Sequence, residues 1–284
     1  MAKIVICSEK KINVDAMIEV LSEEHQVIFC DPASSEYTEN HLSEFDLIMD
    51  FMNSKEHRAR VIKKCFEKGT PVIVGGQSYT SPGSIAHLGI ASYTSDSSSN
   101  RTYNVNNLDV TLSARGKREI MIYNQNNRQF YFYHGSKSSL ENMSPLLVLD
   151  SVWGYYKLPV TCATFKKGDL NMRDEPFAAD CAFLGFDFNV QLTNDAINIV
   201  NDVVSWLLNK TYVPAKVKNH DGTLLSDHDV YLHFRESGDL IAKYKSDEKG
   251  SVAFRIRHKC DYYAVAFDKK GGMKNAVAID NIIV

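Results

Sequence analysis

Residues 70–80 read TPVIVGGQSYT, an apolar run that breaks at Gly75-Gly76 into a polar loop. The β-branched residues 72–74 suit a buried strand. In an open α/β sheet, ligands and exposed nucleophiles lie where a strand ends and the chain turns into a helix. This stretch therefore predicts a sheet and also the edge of that sheet at which a site should be sought.

Strand and helix patterns alternate on the N-terminal side of this stretch. Strand patterns lie at Lys3–Ser8, Gln26–Cys30 and Leu47–Phe51, and Asn13–Ser22 carries one apolar helical stripe. Ser34–Glu44 is expected to be a solvated segment. Because strands separated by helices pair in parallel through right-handed crossovers, we expect a flavodoxin-like, doubly wound, mostly parallel sheet.

The sequence also predicts two further helices and two further strands of this sheet. Ser54 is a candidate cap for a helix that ends before Gly69, and Thr193 is the candidate cap of the most strongly periodic helix in the chain. Val160–Phe165 is a further expected strand, and Cys181–Phe186 is an apolar run typical of a buried parallel strand. The ligand position is then expected beyond Ser8, Phe51 and Gly75.

A β-rich insertion at about residues 90–135 interrupts the α/β pattern. Residues 95–100 are expected to be a flexible loop, and Val110–Leu112, Glu119–Tyr123 and Arg128–His134 are expected strands. Asn124–Asn127 has the composition of a hairpin turn between the last two strands.

After a linker at Tyr212–Pro214 the helical periodicity stops and short strands with glycine turns recur, which predicts a small C-terminal β-sandwich. Two domains follow, an α/β domain at 1–211 and a β-sandwich at 212–284. The expected strands of the sandwich are Ala215–Asn219, Asp229–Arg235, Leu240–Ser246, Ser251–Ile256, Tyr262–Asp268 and Ala276–Ile283.

Composition excludes several classes of function. The net charge is −3 with both signs interspersed, so we expect no nucleic-acid partner. No apolar run reaches the ~20 residues that span a bilayer, and Met1–Lys11 lacks a signal-peptide core, so we expect no membrane partner and folding in a cytoplasm. The six cysteines never occur as C-x-x-C and are expected to be buried free thiols.

The series "FDLIMDF", "GTPVIVGG" and "AFLGFDFNVQLTNDAINIVNDVVSWLL" resembles the class I glutamine amidotransferase-like superfamily, including its trehalose-utilisation-type relatives. The resemblance covers residues 1–210 and implies a flavodoxin-like fold. Enzymes of that family place a cysteine on the turn after the strand, and a histidine and a glutamate before the closing helix. Here the turn carries Gly75, Gly76 and Gln77, and Gly185–Thr193 contains neither a histidine nor a glutamate. The resemblance therefore implies the fold without the amidotransferase reaction.

The tail "DGTLLSDHDVYLHFRESGDLIAKYKSDEKGSVAFRI", followed by "DYYAVAFD" and "NAVAIDNIIV", is similar to carboxypeptidase-regulatory-like (transthyretin-like) modules. In particular it resembles the modules that end many tailed-phage virion proteins. This resemblance implies an adhesive or assembly unit without catalytic residues.

Several side chains remain as candidate sites. Ser78 is a possible nucleophile, with His41, His87 or His134 as its base, and a tight turn is the alternative for the same loop. Gly75-Gly76 lacks the lysine of a phosphate-binding loop. Asp227-His228-Asp229 and His220-Asp221 could bind a metal, but carboxylates at a strand entrance are typically solvated. In the aromatic run of residues 130–133, alternation leaves Tyr131 and Tyr133 as surface candidates for a sugar or a protein partner.

The sequence thus favours a non-enzymatic structural protein of a tailed-phage virion, made in the host cytoplasm and present in the virion. Its expected partners are other virion proteins and copies of itself, and no cofactor, metal or small-molecule ligand is expected. Two alternatives stay open, namely a hydrolase that uses Ser78 or the acidic residues Asp50 and Asp187, and a carbohydrate-binding adhesin that uses Tyr131 and Tyr133.

Overall fold

The computed structural model divides the chain into two compact units, residues 1–107 with 111–208 and residues 108–110 with 209–284. The residues it describes are 1–9, 11, 14–51, 56–75, 88–97, 101–105, 110, 112–114, 117–124, 128–134, 143–149, 160–171, 173–188, 190–208, 211–219, 221–256, 261–267 and 277–282.

The first unit contains both strands and helices. Its described strands are β1 (Lys3–Cys7), β2 (Gln26–Cys30), β3 (Leu47–Asp50), β4 (Val72–Gly75), β5 (Ala91–Ser97), β6 (Arg101–Asn104), β7 (Glu119–Met121), β8 (Arg128–His134), β9 (Ser144–Val148), β10 (Val160–Phe165) and β11 (Cys181–Leu184). Its described helices are α1 (Asp15–Ser22), α2 (Glu39–Leu42), α3 (Glu56–Glu67) and α4 (Asn194–Leu208).

One mixed sheet organises this unit. Over the described residues it has nine strands in the order β2-β1-β3-β4-β11-β10-β9-β6-β7. The first five run parallel to one another, and each remaining neighbour pairs antiparallel. The chain is therefore a mixed α/β protein.

The interior parallel strands β1 and β3 are largely apolar because both faces of the sheet are covered there. Residues 4–7 of β1 and 47–50 of β3 are all fully buried. One core cluster joins alternate residues of these strands to Leu42 of α2 and to Ile62 and Cys65 of α3. Such burial on two faces explains why these strands lack the alternation of a half-exposed sheet.

The segment Ser34–Glu44 is not wholly solvated as predicted, because it contains α2. Thr38 caps this helix by accepting a hydrogen bond from the His41 backbone N–H at 3.3 Å, and Leu42 is fully buried. A four-residue helix is too short to produce a periodic pattern in the sequence.

The helix α3 ends before Gly69, as the sequence predicted. Gly69 has a φ of 99°, a positive value of the kind that favours glycine after a helix.

Thr193 caps α4 as predicted. The Ala196 backbone N–H donates to Thr193 Oγ1 at 3.1 Å, and the Thr193 hydroxyl donates in turn to the carbonyl oxygen of Met121. The helix buries a wide apolar face that includes Val200, Val204 and Leu207. The proposed cap Ser54 lies outside the described residues.

The β-rich insertion pairs differently from the prediction. β7 and β8 are not two arms of a hairpin, because β7 pairs with β6 and β8 pairs with β5 in a separate two-stranded sheet. The expected loop at residues 95–100 is partly strand, since β5 extends to Ser97. The expected strand Val110–Leu112 is also wrong in part, since Leu112 begins a 3-10 helix.

The second unit contains antiparallel strands. They are β12 (Thr211–Lys216), β13 (Asp229–Phe234), β14 (Leu240–Lys245), β15 (Ser251–Ile256), β16 (Tyr262–Phe267) and β17 (Val277–Ile282). Its described sheets have the orders β12-β15 and β14-β13-β16-β17. Tyr212–Pro214, predicted as a linker, lies within β12, where it pairs with β15.

The helices and the cysteines bear on two further expectations from the sequence. None of the helices in the described ranges has the length and apolar character needed to cross a bilayer. The five cysteines that the structure describes are all buried free thiols, in agreement with the prediction, and the sixth, Cys260, lies outside the described residues.

Candidate functional site at the carboxyl ends of the parallel strands

The carboxyl ends of β3 and β11 meet at the sheet edge where the sequence places a ligand. Phe51 follows β3, and Phe188 lies in the loop after β11. Their rings stack with centroids 3.6 Å apart and planes 11° from parallel. Both side chains are buried, with 5% and 2% of their surfaces exposed. An apolar pair of rings therefore occupies the strand ends, where open α/β sheets bind ligands.

Gly75, the last residue of β4, lies directly under this pair. A Cβ atom at this position would overlap the edge of the Phe188 ring and would come within 2.8 Å of the Leu184 carbonyl oxygen. Glycine is thus required here by close packing. The glycine that suggested a catalytic turn in the sequence is explained by contact with an aromatic ring.

The loop Gly185–Phe188 is held from both sides. The Gly185 backbone N–H donates to the Thr161 carbonyl oxygen at 2.6 Å, and the Asp187 backbone N–H donates to Tyr123 Oη at 2.6 Å. Tyr123 is itself buried and packs against Phe130 with ring centroids 5.0 Å apart. A residue that follows β7 therefore fixes the loop that carries Phe188.

Asp50, an acidic candidate for hydrolysis, is fully buried at the end of β3. It pairs in register with Cys7 of β1. Burial, followed by the negative charge of Asp50, raises the pKa of Tyr37. The carboxyl group of Asp50 thus belongs to a buried polar cluster beneath the sheet edge and is closed off from solvent.

A cavity of about 500 Å³ lies beside the ring pair, between α1 and α4. The exposed carboxylates of Asp15 and Glu19 and the amide of Gln191 contribute polar groups, while Met17 and Phe188 contribute apolar surface. Its described lining contains no serine, cysteine or histidine. The reactive groups in its described lining are therefore the carboxylates of Asp15 and Glu19.

Ser78, the predicted nucleophile, and His87, one of its possible bases, lie outside the described residues, so their meeting stays a prediction. His41 lies in α2, where its ring makes an edge contact with Phe45 at 5.4 Å. His134 is the last residue of β8. Tyr131 and Tyr133 lie in β8, opposite Thr94 and Ser92 of β5.

The candidate metal ligands of the second unit have other partners. Asp227 forms an ion pair with Lys245 at 2.9 Å, and His228 Nδ1 lies 2.8 Å from the Ser226 carbonyl oxygen. Across the residues that the structure describes, no three acidic, histidine or cysteine side chains converge to hold a metal. His220 lies outside those residues.

A second candidate surface is the outer face of the four-stranded sheet. Tyr231 contacts Phe267 with ring centroids 4.7 Å apart, and His233 stacks on Tyr263 at 5.0 Å. Lys243 of β14 places its ammonium 5.1 Å from the centre of the Tyr231 ring. Phe267 is 42% exposed. The sequence carried a signal for this face, since the alternation in β13 places Tyr231 and His233 opposite the buried side.

Comparison with known proteins gives weak similarities. No family model and no curated protein matches the chain. A cytoplasmic protein from Salmonella typhimurium has 8% identity and a TM-score of 0.46, covering 73% of this chain and 99% of that one. A β-galactosidase from Bacillus circulans sp. alkalophilus has 11% identity and a TM-score of 0.46, covering 89% and 41%. A GH42 β-galactosidase from G. stearothermophilus has 10% identity and a TM-score of 0.41, covering 89% and 40%.

The chain thus spans about two fifths of the length of these β-galactosidases. With TM-scores below 0.5, these similarities do not bear on the activity or the partners of the chain.

Proposed function

We propose that the chain is a non-enzymatic structural protein that acts through protein–protein assembly, as a component of a tailed-phage virion. The stack of Phe51 on Phe188 carries this proposal. It covers the ends of β3 and β11 with apolar rings, at a position where an enzyme of this architecture would bind substrate. A buried aromatic pair supplies packing and rigidity, and it has no group that donates, accepts or attacks.

The proposed architecture of the first unit is a flavodoxin-like body related to the amidotransferase-like superfamily. The strand order β2-β1-β3-β4-β11 supports this, since it matches the 2-1-3-4-5 order of flavodoxin-like sheets. In this proposal the body is a rigid scaffold. Gly75, which closes β4 against Phe188, then keeps a structural role at the position where the family has its nucleophile turn.

The proposed contact surface is the outer face of β13, β14 and β16, with Tyr231, Phe267, Tyr263 and Lys243. Aromatic side chains are enriched at the centres of protein interfaces because they bury large areas with little loss of rotamer freedom. The partners in this proposal are other virion proteins and further copies of the chain. Assembly would proceed by docking of preformed surfaces, repeated around a symmetry axis.

Mass spectrometry of purified particles from the phage whose genome encodes the chain tests this function. We expect peptides of both units at a stoichiometry that matches a structural component. Particles that lack the chain would contradict the proposal. A parallel assay of the pure protein on ester, amide and glycoside substrates should show no turnover, and turnover abolished by Ser78→Ala would favour the hydrolase alternative instead.

A further inference from the structure

Cys7 and Cys30 end two neighbouring parallel strands and are partners in their register. Both belong to the same core cluster and are 0% and 2% exposed. Neighbouring strands lie about 4.8 Å apart, and the Cα atoms of disulfide-bonded residues lie about 4.4–6.8 Å apart. A covalent bridge between these two residues therefore fits the backbone spacing of the strands.

The two thiols differ in acidity. A hydrogen bond between their side chains lowers the pKa of Cys30, and burial only partly opposes this effect. The same hydrogen bond raises the pKa of Cys7, as do burial and the nearby carboxyl of Asp50. Cys30 is accordingly the thiol that loses its proton first, and Cys7 keeps its proton while the pair is reduced.

Access to the pair runs through Cys30. β2 forms the edge of the sheet and, among the described residues, pairs with β1 alone. Ile28 and Phe29 of β2 are half-buried, and Cys30 is the last residue of the strand. Opening the end of an edge strand exposes it without global unfolding. Cys7, by contrast, is fully buried at the end of β1, which lies between β2 and β3.

We propose that Cys7 and Cys30 are a covalent modification site, at which an intramolecular disulfide forms by exchange with a small disulfide of the oxidised-glutathione class. The Cys30 thiolate attacks one sulfur of the reagent, which releases one reagent thiolate and leaves a mixed disulfide on Cys30. Cys7 then loses its proton and attacks Cys30 Sγ, which releases the second reagent thiol. Two electrons pass from the cysteines to the reagent, and the two cysteine protons leave with the two released thiols.

The bridge would tie the edge strand β2 to the interior strand β1. Cys65 is the closest comparison within the same core cluster, but its environment differs. It lies on α3, with its sulfur 3.6 Å from Ser43 Oγ and 3.8 Å from the Glu39 carbonyl oxygen. It has no register partner on a strand and should remain a thiol.

Thiol mapping of the whole protein tests this site. The folded chain is incubated with oxidised glutathione, its remaining thiols are alkylated after unfolding, and its peptides are identified by mass spectrometry. We expect the Cys7 and Cys30 peptides to be joined, with a loss of ~2 Da from the intact mass, while Cys65, Cys162 and Cys181 are alkylated. Cys7 and Cys30 recovered as alkylated thiols, as separate glutathione adducts, or joined only in urea would overturn the proposal.

Single variants test the order of attack. Cys7→Ala should trap glutathione on Cys30, whereas Cys30→Ala should leave Cys7 unmodified or at least about tenfold slower to react. Equal rates in the two variants would contradict the order. Near-UV circular dichroism checks that each variant is folded. The mapping of the unsubstituted protein needs no substitution, so it decides whether the bridge forms even if a variant does not fold.

Discussion

The ring of Phe51 stacks on the ring of Phe188, with the two ring centroids 3.6 Å apart and the two planes nearly parallel. This contact joins the end of β3 to the loop after β11, across the intervening strand β4. Both rings are buried, so the contact covers the ends of these two strands with packed apolar surface. The stability of the first unit should therefore depend on this pair.

Phe188→Ala should lower the free energy of unfolding by about 3–5 kcal/mol, because it removes a buried ring and leaves a cavity beside Gly75. Phe51→Ala should have an effect of similar size. The double variant should be less destabilised than the sum of the singles, by about 1 kcal/mol. Urea unfolding followed by circular dichroism measures all three. Phe267→Ala, at an exposed ring, is the control and should change stability by less than about 0.5 kcal/mol.

Gly75→Ala should be destabilising by about 3 kcal/mol, because the new methyl group meets the Phe188 ring and the Leu184 carbonyl oxygen. Gly168→Ala is the matched control. Gly168 has open space around it and a φ of 90°, so alanine there should cost only about 1 kcal/mol of backbone strain. Equal losses at the two positions would mean that close packing does not select glycine at the end of β4.

The carboxyl group of Asp202 should make the stability of the protein depend on pH. Burial raises its pKa to about 6, although Ser113 opposes this by donating its hydroxyl at 2.7 Å and its backbone N–H at 2.8 Å. Since the unfolded carboxyl titrates near pH 4, the native state binds more protons between these values. The contribution of Asp202 is thus fully present below about pH 4 and is lost as pH rises through about 6, by roughly 2–3 kcal/mol.

Two variants isolate this contribution. Asp202→Asn does not titrate, so the stability of the natural protein relative to the variant should fall between pH 4 and 6. Ser113→Ala removes a hydrogen bond that favours the charged carboxylate, so the decline should extend to higher pH. Chemical unfolding at a series of pH values measures both. A difference between the natural protein and Asp202→Asn that is constant from pH 4 to 7 would refute the assignment.

The helices and strands that the sequence predicted correctly are those with a strong local hydrophobic pattern. β11 and, after Lys3, β1 are continuous apolar runs, and α4 has a clear stripe after a threonine cap, so these elements were predictable. β5 is rich in serine and threonine, and α2 has a single fully buried residue, so neither pattern stood out. The pairing of β7 with β6 depended on the partner strands, which no local pattern specifies.

The candidate site was predictable in position but not in content. The sequence predicted that strands end near Phe51 and at Gly75. In the structure β3 ends at Asp50, directly before Phe51, and β4 ends at Gly75. The stack with Phe188 joins residues far apart in sequence, and only the folded sheet brings them together. The same applies to Tyr123, whose hydroxyl accepts the hydrogen bond from Asp187 and so positions that loop.

The outer face of β13, β14 and β16 gives the last prediction, which depends on the proposed assembly function. Tyr231→Ala and Phe267→Ala remove rings that contact each other at 4.7 Å on the exposed side of the sheet. If this face docks on a partner, loss of a central aromatic residue should cost about 2 kcal/mol of binding and reduce incorporation into particles by roughly thirtyfold. Folding should persist, because the buried face of the sheet, with Val230 and Leu232, is unchanged.

The measurement is quantitative mass spectrometry of particles grown with each variant, normalised to the amount of soluble protein. Lys249→Ala is the control, since this exposed residue lies in the turn between β14 and β15, and its incorporation should match that of the natural protein. If Tyr231→Ala and Phe267→Ala enter particles as well as Lys249→Ala does, the outer face is not the contact surface. Presence of the natural chain in the same particles would still support the structural role, so the two proposals fail separately.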